Sequence, residues 1–338
     1  MIVDLRSDTV TRPTKEMLEA MFAAKVGDDV FGEDETVSML EQKAAALFGK
    51  EAGLFCPSGT MTNQIAIKVN TQPGDEVICD KLSHIYIYEG GGIASNALAS
   101  VALIEGNRGR FTSQQVLENI RKDDVHFPRT SLVSIENTVN RGGGACWDMN
   151  EIKKIAAVCA QHSLQFHLDG ARIFNALIAN KETAKNMGAQ FNSISVCLSK
   201  GLGAPVGSVL LGTKDFIKKA RRVRKVFGGG MRQAGYLAAA GIYALDNNIN
   251  RINEDHSRAK QLGEAVSKLS SIEKLHPVET NIVLFTMPTA NDAQQIIGKL
   301  TANDIKAIAV GKSDVRFVTH LDFTDEMLEK VINTIKKI

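Results

Sequence analysis

The stretch that decides the fold runs from Gln165 to Ala204; it opens with QFHLDGARIF and closes with SISVCLSKGLGA. Two apolar runs, Leu164–Leu168 and Ile194–Leu198, have the length and the β-branched or aromatic content of buried strands. The first is followed by Asp169, and the second by the Ser-Lys-Gly turn that carries Lys200. Open α/β sheets bind their ligands at the carboxyl ends of their strands. We therefore expect Asp169 and Lys200 to face the same ligand.

An acid and a glycine-flanked lysine at two strand ends suit one cofactor in particular. Pyridoxal 5′-phosphate (PLP) needs a lysine amine for its Schiff base and a carboxylate opposite its pyridinium nitrogen. Lys200 is the candidate for the first role and Asp169 for the second. A surface lysine at a strand end and an aspartate that caps the next helix are the alternatives.

The rest of the chain predicts an α/β fold of the PLP fold-type I class. Strand-like runs alternate with helical segments, which favours a large domain with a mostly parallel seven-stranded sheet covered by helices. The predicted strands are Gly53–Phe55, Glu76–Cys79, Ser100–Leu103, Ser131–Ile135, Leu164–Leu168, Ile194–Leu198 and Ser208–Leu211. No GxGxxG follows the first of them, which argues against a nicotinamide enzyme.

The pattern changes near residue 246, where we place a domain boundary. Residues 1–245 are predicted to form the large PLP-binding domain, with an N-terminal segment over 1–33. Residues 246–338 are predicted to form a small C-terminal α+β domain.

The Ser58-Gly59-Thr60 turn precedes a helical pattern and is a candidate phosphate seat. Free backbone N–H groups and the positive end of the helix dipole attract an anion there. Gly59 lets the backbone approach closely, and Ser58 and Thr60 carry hydroxyl groups. Ordinary helix capping is the alternative.

Candidate substrate contacts follow from side-chain chemistry. Arg172 and Arg316 can bind a carboxylate with two parallel hydrogen bonds. His84 is a candidate to stack on the cofactor ring, and His126 a candidate to reach a substrate hydroxyl. Each histidine could equally be a capped loop residue, and Arg316 an edge-strand arginine.

Composition and charge exclude several classes of protein. The 338 residues carry 40 basic and 38 acidic side chains, a net charge of +2, so nucleic acid or membrane partners are not expected. The basic run Lys218–Lys225 could bind a polyanion, but a solvated helix face is the commoner reading. No signal peptide or membrane span is predicted. The five cysteines lack zinc spacing, so we expect no metal and reduced, buried thiols in a cytoplasmic protein.

Nine motifs together resemble the L-threonine aldolase family of low specificity, and they follow one another over nearly the whole chain. They are Asp4–Thr11 (DLRSDTVT), Gly27–Asp34 (GDDVFGED), Pro57–Asn63 (PSGTMTN), His126–Thr130 (HFPRT), Glu136–Thr138 (ENT), His167–Phe174 (HLDGARIF), Leu198–Ser208 (LSKGLGAPVGS), Gly228–Gln233 (GGGMRQ) and Arg316–Leu321 (RFVTHL).

The resemblance implies a PLP-dependent lyase that cleaves L-threonine and L-allo-threonine to glycine and acetaldehyde. It implies Lys200 as the Schiff-base lysine, Asp169 as the ring-nitrogen partner and His84 as the stacking histidine. The remaining roles it implies are phosphate binding by Gly59 and Thr60, substrate-carboxylate binding by Ser7, Arg172 and Arg316, and a place for His126 near the substrate side chain. It also implies a homotetramer, a dimer of dimers, in which Lys225 and Arg232 come from a neighbouring subunit. Arg172, Lys225 and Arg232 are further candidates to bind the cofactor. The alternative for Lys225 and Arg232, which flank the Gly228–Gly230 loop and are candidates for its phosphate, is a hinge between lobes.

Two positions depart from the family pattern. Phe31 stands where the GDDVYG segment of the family has tyrosine, and Val139 stands where ENTHN has histidine. Neither change touches the lysine, the acid or the phosphate turn. The two departures can change the substrate preference or the rate relative to other family members, but they leave the expected reaction class unchanged.

Two other functions remain open from the sequence. β-Elimination or racemisation of another amino acid could run on the same scaffold, because a fold does not choose between chemistries. A non-catalytic protein that binds phosphate ligands or polyanions is the second, although it leaves Asp169 and Lys200 unexplained. For the aldolase, the proton acceptor is expected to be His84, His126 or a water that they hold.

Overall fold

The computed structural model describes residues 1–338, in which fourteen helices and thirteen strands follow one another. The strands are β1 Val3–Asp4, β2 Ala52–Cys56, β3 Glu76–Asp80, β4 Ser100–Ile104, β5 Thr130–Glu136, β6 Gln165–Gly170, β7 Ser193–Cys197, β8 Ser208–Gly212, β9 Lys274–Leu275, β10 Ile282–Thr286, β11 Ile305–Lys306, β12 Ile308–Val310 and β13 Asp314–Val318. The helices are α1 Lys15–Phe22, α2 Glu35–Phe48, α3 Gly59–Asn70, α4 His84–Ile87, α5 Gly92–Ala97, α6 Ser113–Asn119, α7 Met149–Gln161, α8 Ile173–Asn180, α9 Ala184–Gly188, α10 Lys214–Val226, α11 Gly235–Asn247, α12 Ile252–Val266, α13 Ala290–Thr301 and α14 Asp325–Ile335.

The central sheet has seven strands in the order β2-β8-β7-β6-β5-β3-β4. Strands β7, β6, β5, β3 and β4 run parallel, whereas β8 is antiparallel to both of its neighbours. Every residue of β3, β5, β7 and β8 is buried, as expected for strands covered by helices on both faces. The predicted mostly parallel seven-stranded sheet is confirmed.

Two large hydrophobic cores support this architecture, beside two small buried clusters of 8 and 7 residues. The larger core has 45 buried residues and lies around the seven-stranded sheet. The smaller core has 20 buried residues and lies beside the antiparallel sheet β12-β13-β10-β9. Val3 and Leu5 belong to this smaller core, and Val3 of β1 pairs in register with Ile305 of β11. The N-terminus therefore crosses to the C-terminal part of the chain. The division at residue 246 stays a prediction.

Three short helices were not predicted from the sequence. Helices α4 and α5 have 4 and 6 residues, too few to show a helical period. Helix α8 is apolar almost throughout, so its sequence has no polar face to reveal a 3.6-residue repeat. Two of these helices matter for the site, because α4 carries His84 and α8 follows Arg172.

Surface and thiol features agree with the composition. All five cysteines are buried and unpaired, as predicted. None of the helices combines the length and the apolar character that crossing a bilayer requires. The basic run on α10 is partly structural, because Arg224 is buried against Asp29, and Arg221 contacts Glu41 at 2.8 Å.

Candidate active site

Asp169 lies near the carboxyl end of β6 and is 3% exposed. Its Oδ2 accepts from Asn63 Nδ2 at 3.0 Å, and its Oδ1 accepts from the backbone N–H of Ala171 at 3.1 Å. Both donors are neutral, and no lysine or arginine pairs with the carboxylate. A buried charge without a cationic partner is costly. The site is therefore suited to a ligand that brings a positive group to Asp169.

Lys200 lies in the turn between β7 and β8, at the same edge of the sheet. The turn is closed by the N–H of Gly203, which donates to the carbonyl of Lys200 at 2.9 Å. The amine is half-buried and has no hydrogen-bond or ion-pair partner in the chain. Its positive charge helps to lower the pKa of Asp8, so the amine lies within electrostatic range of that carboxylate. A free amine beside the buried acids fits a lysine that binds a carbonyl group covalently.

The predicted phosphate seat is the N-terminus of α3. Ser58 caps this helix by accepting from the N–H of Met61 at 3.2 Å, which leaves earlier N–H groups free. Ser208 on β8 is fully buried, and its hydroxyl has no partner. That hydroxyl lies 3.4 Å from where a Cβ on Gly59 would stand. An unpartnered buried donor beside free N–H groups fits the phosphate of PLP.

Replacing Ser208 with alanine separates ligand binding from folding. Because the hydroxyl has no partner in the chain, we expect the melting temperature of the cofactor-free protein to stay the same or rise. If the hydroxyl donates to the phosphate, the Kd for PLP rises about tenfold, the loss of one good hydrogen bond. Thermal unfolding and PLP titration measure the two effects. A lower melting temperature with unchanged Kd would contradict this assignment of Ser208.

His84 begins α4 and is held by two buried carboxylates. Its Nδ1 lies 2.9 Å from Glu89 Oε1, and its backbone N–H donates to Glu136 Oε2 at 2.9 Å. Burial opposes the charged ring, but Glu89, Asp169 and Glu136 together raise the pKa of His84 above its usual value. Burial and the charge of Asp169 raise the pKa of Glu136 to about 7. The ring nitrogen Nε2 has no partner and is free to exchange a proton.

Arg172 and Asp8 form a buried pair at the start of α8. Arg172 donates from Nε and Nη2 to the two oxygens of Asp8, at 2.6 and 2.7 Å. Burial alone would raise the pKa of Asp8, but the charge and hydrogen bonds of Arg172 lower it to about 2. Ser7 lies next to this pair, and its hydroxyl accepts from the N–H of Thr9 at 3.2 Å. Arg172 is thus already held by a carboxylate of its own chain.

This pair predicts an acid-sensitive contribution to stability. The folded-state pKa of Asp8 is depressed, so its stabilisation is complete above the unfolded pKa near 4 and is lost as the pH falls towards 2. The shift corresponds to about 2 kcal/mol of unfolding free energy. Urea unfolding from pH 6 to pH 2 measures it. Asp8→Asn is the comparison: its stability should change less steeply in this window, and an equally steep curve would contradict the assignment.

Arg316 on β13 joins Arg172 at the same place. Its Nη1 donates to Asn140 Oδ1 at 2.6 Å, and its Nη2 donates to the carbonyl of Arg6 at 2.9 Å. Its Nε is buried without a partner. Burial and the nearby charge of Arg172 lower the pKa of Arg316 to about 10. Two guanidinium groups with one unsatisfied buried donor favour an incoming carboxylate.

Other predicted residues lie outside this cluster within the single chain. His126 is in an exposed loop, with a side chain 80% exposed and Nδ1 2.6 Å from Asp124. Lys225 and Arg232 are exposed, as is Thr60, which nevertheless lies in the phosphate seat. Arg232 pairs with Asp28 at 2.9 Å. The chain alone does not bring His126, Lys225 or Arg232 to the site, so their roles stay predictions.

The two departures from the family pattern have different surroundings. Phe31 is 74% exposed, and the guanidinium of Arg232 lies 5.8 Å from its ring centroid. Val139 is 1% exposed and belongs to the larger core. Its Cγ1 lies 2.4 Å from where a Cβ on Gly109 would stand, so valine fills this space closely. Val139 is a packing residue, whereas Phe31 is available at the surface.

Several residues of the site were not predicted individually. They are Asp8, Asn63, Glu89, Glu136, Asn140 and Ser208, all of which contact a predicted residue or the phosphate seat. All except Glu89 and Asn140 lie within the quoted motifs, so position in a motif was the available signal. For Glu89 the sequence shows only an acid beside a glycine run.

Comparison with known proteins places the chain in a family. The family model described as "Beta-eliminating lyase" matches residues 4–290. The chain is 42% identical over 331 residues to the low specificity L-threonine aldolase of Escherichia coli K12, covering 98% of this chain and 97% of that protein. The chain belongs to the low-specificity L-threonine aldolase family. A probable low-specificity L-threonine aldolase of Arabidopsis thaliana is 40% identical over 343 residues, 99% of this chain and 97% of that protein.

Solved structures agree on the fold. The threonine aldolase of Leishmania major has a TM-score of 0.87 at 21% identity and covers 99% of both chains. A serine palmitoyltransferase of Sphingomonas wittichii has a TM-score of 0.76 at 14% identity, covering 99% of this chain and 86% of that one. At these identities the likeness shows the fold alone. The predicted family and fold class are both confirmed, and the chain is an enzyme of the lyase class.

Proposed function

We propose that this enzyme cleaves L-threonine and L-allo-threonine to glycine and acetaldehyde with PLP as its cofactor. The observation that carries the proposal is that an unpartnered amine, Lys200, and a buried carboxylate without a cationic partner, Asp169, lie at the carboxyl ends of two neighbouring parallel strands. The family relationship supports it, since enzymes of this family use PLP.

Six residues of this chain would hold the cofactor. Lys200 would carry it covalently, Asp169 would face its ring nitrogen, and Ser58, Gly59 and Thr60 would surround its phosphate. His84 would lie against the ring. The bound cofactor supplies an electron sink that weakens the bond between the substrate's Cα and Cβ.

The chain's own groups orient the substrate and move one proton. Arg316, Arg172 and Ser7 would hold the carboxylate, which fixes the Cα–Cβ bond relative to the ring and is a positioning effect. His84, with Nε2 free, would take the β-hydroxyl proton as cleavage begins. Of the two candidate histidines it is the one inside the buried cluster, whereas His126 would act only if its exposed loop moves or a neighbouring subunit changes its surroundings.

The assembly is proposed to be a cytoplasmic homotetramer with sites shared between subunits. Lys225 and Arg232 are exposed in the single chain, and in the assembly they would reach a neighbouring subunit's phosphate seat, Arg232 from its present pair with Asp28. Small amino acids are the proposed partners, and no nucleic acid or membrane partner is proposed. Sedimentation of the purified protein tests the tetramer.

The test of the function is product analysis together with a visible spectrum. Purified protein should bind PLP with a visible absorption band, and L-threonine should yield equal amounts of glycine and acetaldehyde. The second candidate, β-elimination, would give ammonia and a keto acid, such as pyruvate from L-serine, and racemisation would give the D-amino acid. Ammonia without glycine would replace the aldolase proposal with β-elimination. A protein with neither PLP absorbance nor products would be a non-catalytic binder.

A further inference from the structure

Glu89 is a buried carboxylate for which the sequence predicted no role. Its side chain is 0% exposed and has no lysine or arginine partner. It accepts hydrogen bonds from Asn63 Nδ2 at 2.9 Å and from Gln64 Nε2 at 2.6 Å, and it contacts His84 Nδ1 at 2.9 Å. A carboxylate so enclosed requires charged or polar donors on every side. Here the one donor that can become charged is His84.

The side-chain amide of Asn63, which donates to Glu89, is fixed in orientation by a chain of hydrogen bonds. Asn63 uses both hydrogens of Nδ2, one towards Glu89 and one towards Asp169. Its Oδ1 lies 3.1 Å from His167 Nε2, and His167 Nδ1 lies 2.9 Å from Ser193 Oγ. Burial lowers the pKa of His167 to about 4, so the ring is neutral. Because Asn63 Oδ1 can only accept, the ring donates to it from Nε2. Asn63 therefore cannot turn over without losing three contacts, and it couples Glu89 to Asp169.

We propose that Glu89 is a positioning residue that holds the ring of His84 by Nδ1, leaves Nε2 as the proton acceptor, and stabilises the ring once it is protonated. Asn63 links this carboxylate to Asp169, so the two acids are held in one rigid arrangement. The inference rests on the proposed function in one respect, which is that His84 takes the proton of the substrate's β-hydroxyl. In that step the O–H bond breaks and an N–H bond forms at Nε2, while the hydrogen on Nδ1 stays where it is.

The groups that face His84 all come from packed elements of the chain. They are Glu89 after α4, Asp169 on β6, Glu136 on β5 and Tyr88 at the end of α4, whose ring centroid lies 5.6 Å from that of His84. Glu89 is the one of the three acids that hydrogen-bonds the ring itself. Its removal should therefore have the largest effect on the ring's protonation.

Glu89→Gln tests the charge while it keeps the shape. Glutamine keeps an oxygen for Asn63 and His84, and its amide nitrogen can donate to Gln64 if that amide turns over. The probe is the rate at which diethyl pyrocarbonate labels His84, followed by peptide mass spectrometry from pH 5 to pH 9. Only the neutral ring reacts, so the midpoint reports its protonation. We expect the midpoint to fall by about one pH unit, which is about a tenfold faster labelling below the midpoint.

Activity supplies the second measurement. In the holoenzyme, the acid limb of kcat/KM for L-threonine should move in the same direction by about one pH unit, with kcat/KM at its plateau about 10- to 100-fold lower. Glu89→Asp should recover part of the shift. Asp80→Asn is the matched control, because Asp80 is a buried acid that accepts from the N–H groups of Leu82 and Gly106 without touching His84. It should leave the labelling midpoint unchanged.

The outcomes separate this proposal from the proposed function. An unchanged labelling midpoint in folded Glu89→Gln would overturn the role of Glu89, whatever the activity. If Glu89→Gln does not fold, the labelling midpoint of His84 in the wild-type protein tests the proposal instead. A midpoint at or below that of a free histidine would overturn the role of Glu89. A wild-type protein that makes no glycine would overturn the proposed function alone, since the labelling experiment needs no turnover.

Discussion

Lys200→Ala is expected to lower the rate of glycine formation from L-threonine by about 10⁴-fold or more. Lys200 is the one amine at the sheet edge that lies beside the buried acids and has no partner in the chain. Alanine removes the nucleophile and the group that would release the product. Because no contact within the chain depends on the amine, the melting temperature should change little. Coupled assay of acetaldehyde and thermal unfolding measure the two quantities.

A matched control and a chemical mark sharpen this experiment. Lys153 on α7 is an exposed lysine far along the chain from the site, and Lys153→Ala should keep wild-type activity. Borohydride treatment of the wild-type holoenzyme should fix a pyridoxyl group on the peptide that contains Lys200. Turnover at the wild-type rate by Lys200→Ala, or a pyridoxyl group on another lysine, would remove Lys200 from its proposed role.

Asp169→Asn is expected to have the second-largest effect, a fall in kcat of about 10³-fold. The substitution keeps the size of the side chain but removes the negative charge that would hold a protonated ring nitrogen. Asp169 is 3% exposed and receives only neutral hydrogen bonds from Asn63 and Ala171, so no other charge in direct contact replaces it. PLP should still bind through Lys200 and the phosphate seat, with an altered visible spectrum. Stopped-flow kinetics and PLP titration separate turnover from binding.

The control for this variant is Asp148, a carboxylate that only caps a helix. Asp148 caps α7 by accepting from the N–H of Asn150 at 3.0 Å, and asparagine caps a helix equally well. Asp148→Asn should therefore match the wild type in both assays. An Asp169→Asn protein with full kcat and normal PLP affinity would show that the buried carboxylate does not serve the cofactor.

The sequence predicted most of the large sheet because local patterns and tertiary packing agree there. Strands such as β5 and β7 are short apolar runs with β-branched residues, and every one of their residues is buried. The Ser-Lys-Gly turn that carries Lys200 follows β7. Lys200, Asp169 and the Ser58 turn were identified for the same reason: each follows directly on such a run.

The short helices and the path of the N-terminus were harder to predict. Helix α4, which presents His84, is too short for a periodic signal. Strand β1 pairs with β11, more than 300 residues further on, and nothing in the first five residues indicates this partner. Val3 and Leu5 of the N-terminal segment pack in the smaller core, a contact that no local pattern indicates.

What the sequence by itself determined was the class of chemistry, because an acid and a lysine at strand ends and an ordered series of motifs can be recognised along the chain. Only the tertiary structure decided which side chains form hydrogen bonds and ion pairs with one another in the site. The contacts of Asp8 with Arg172, of Asn63 with Asp169 and of Glu89 with His84 join residues from different elements. The physical reason is that protonation and orientation depend on burial and on neighbours in space, and neither quantity is written in the order of residues along the chain.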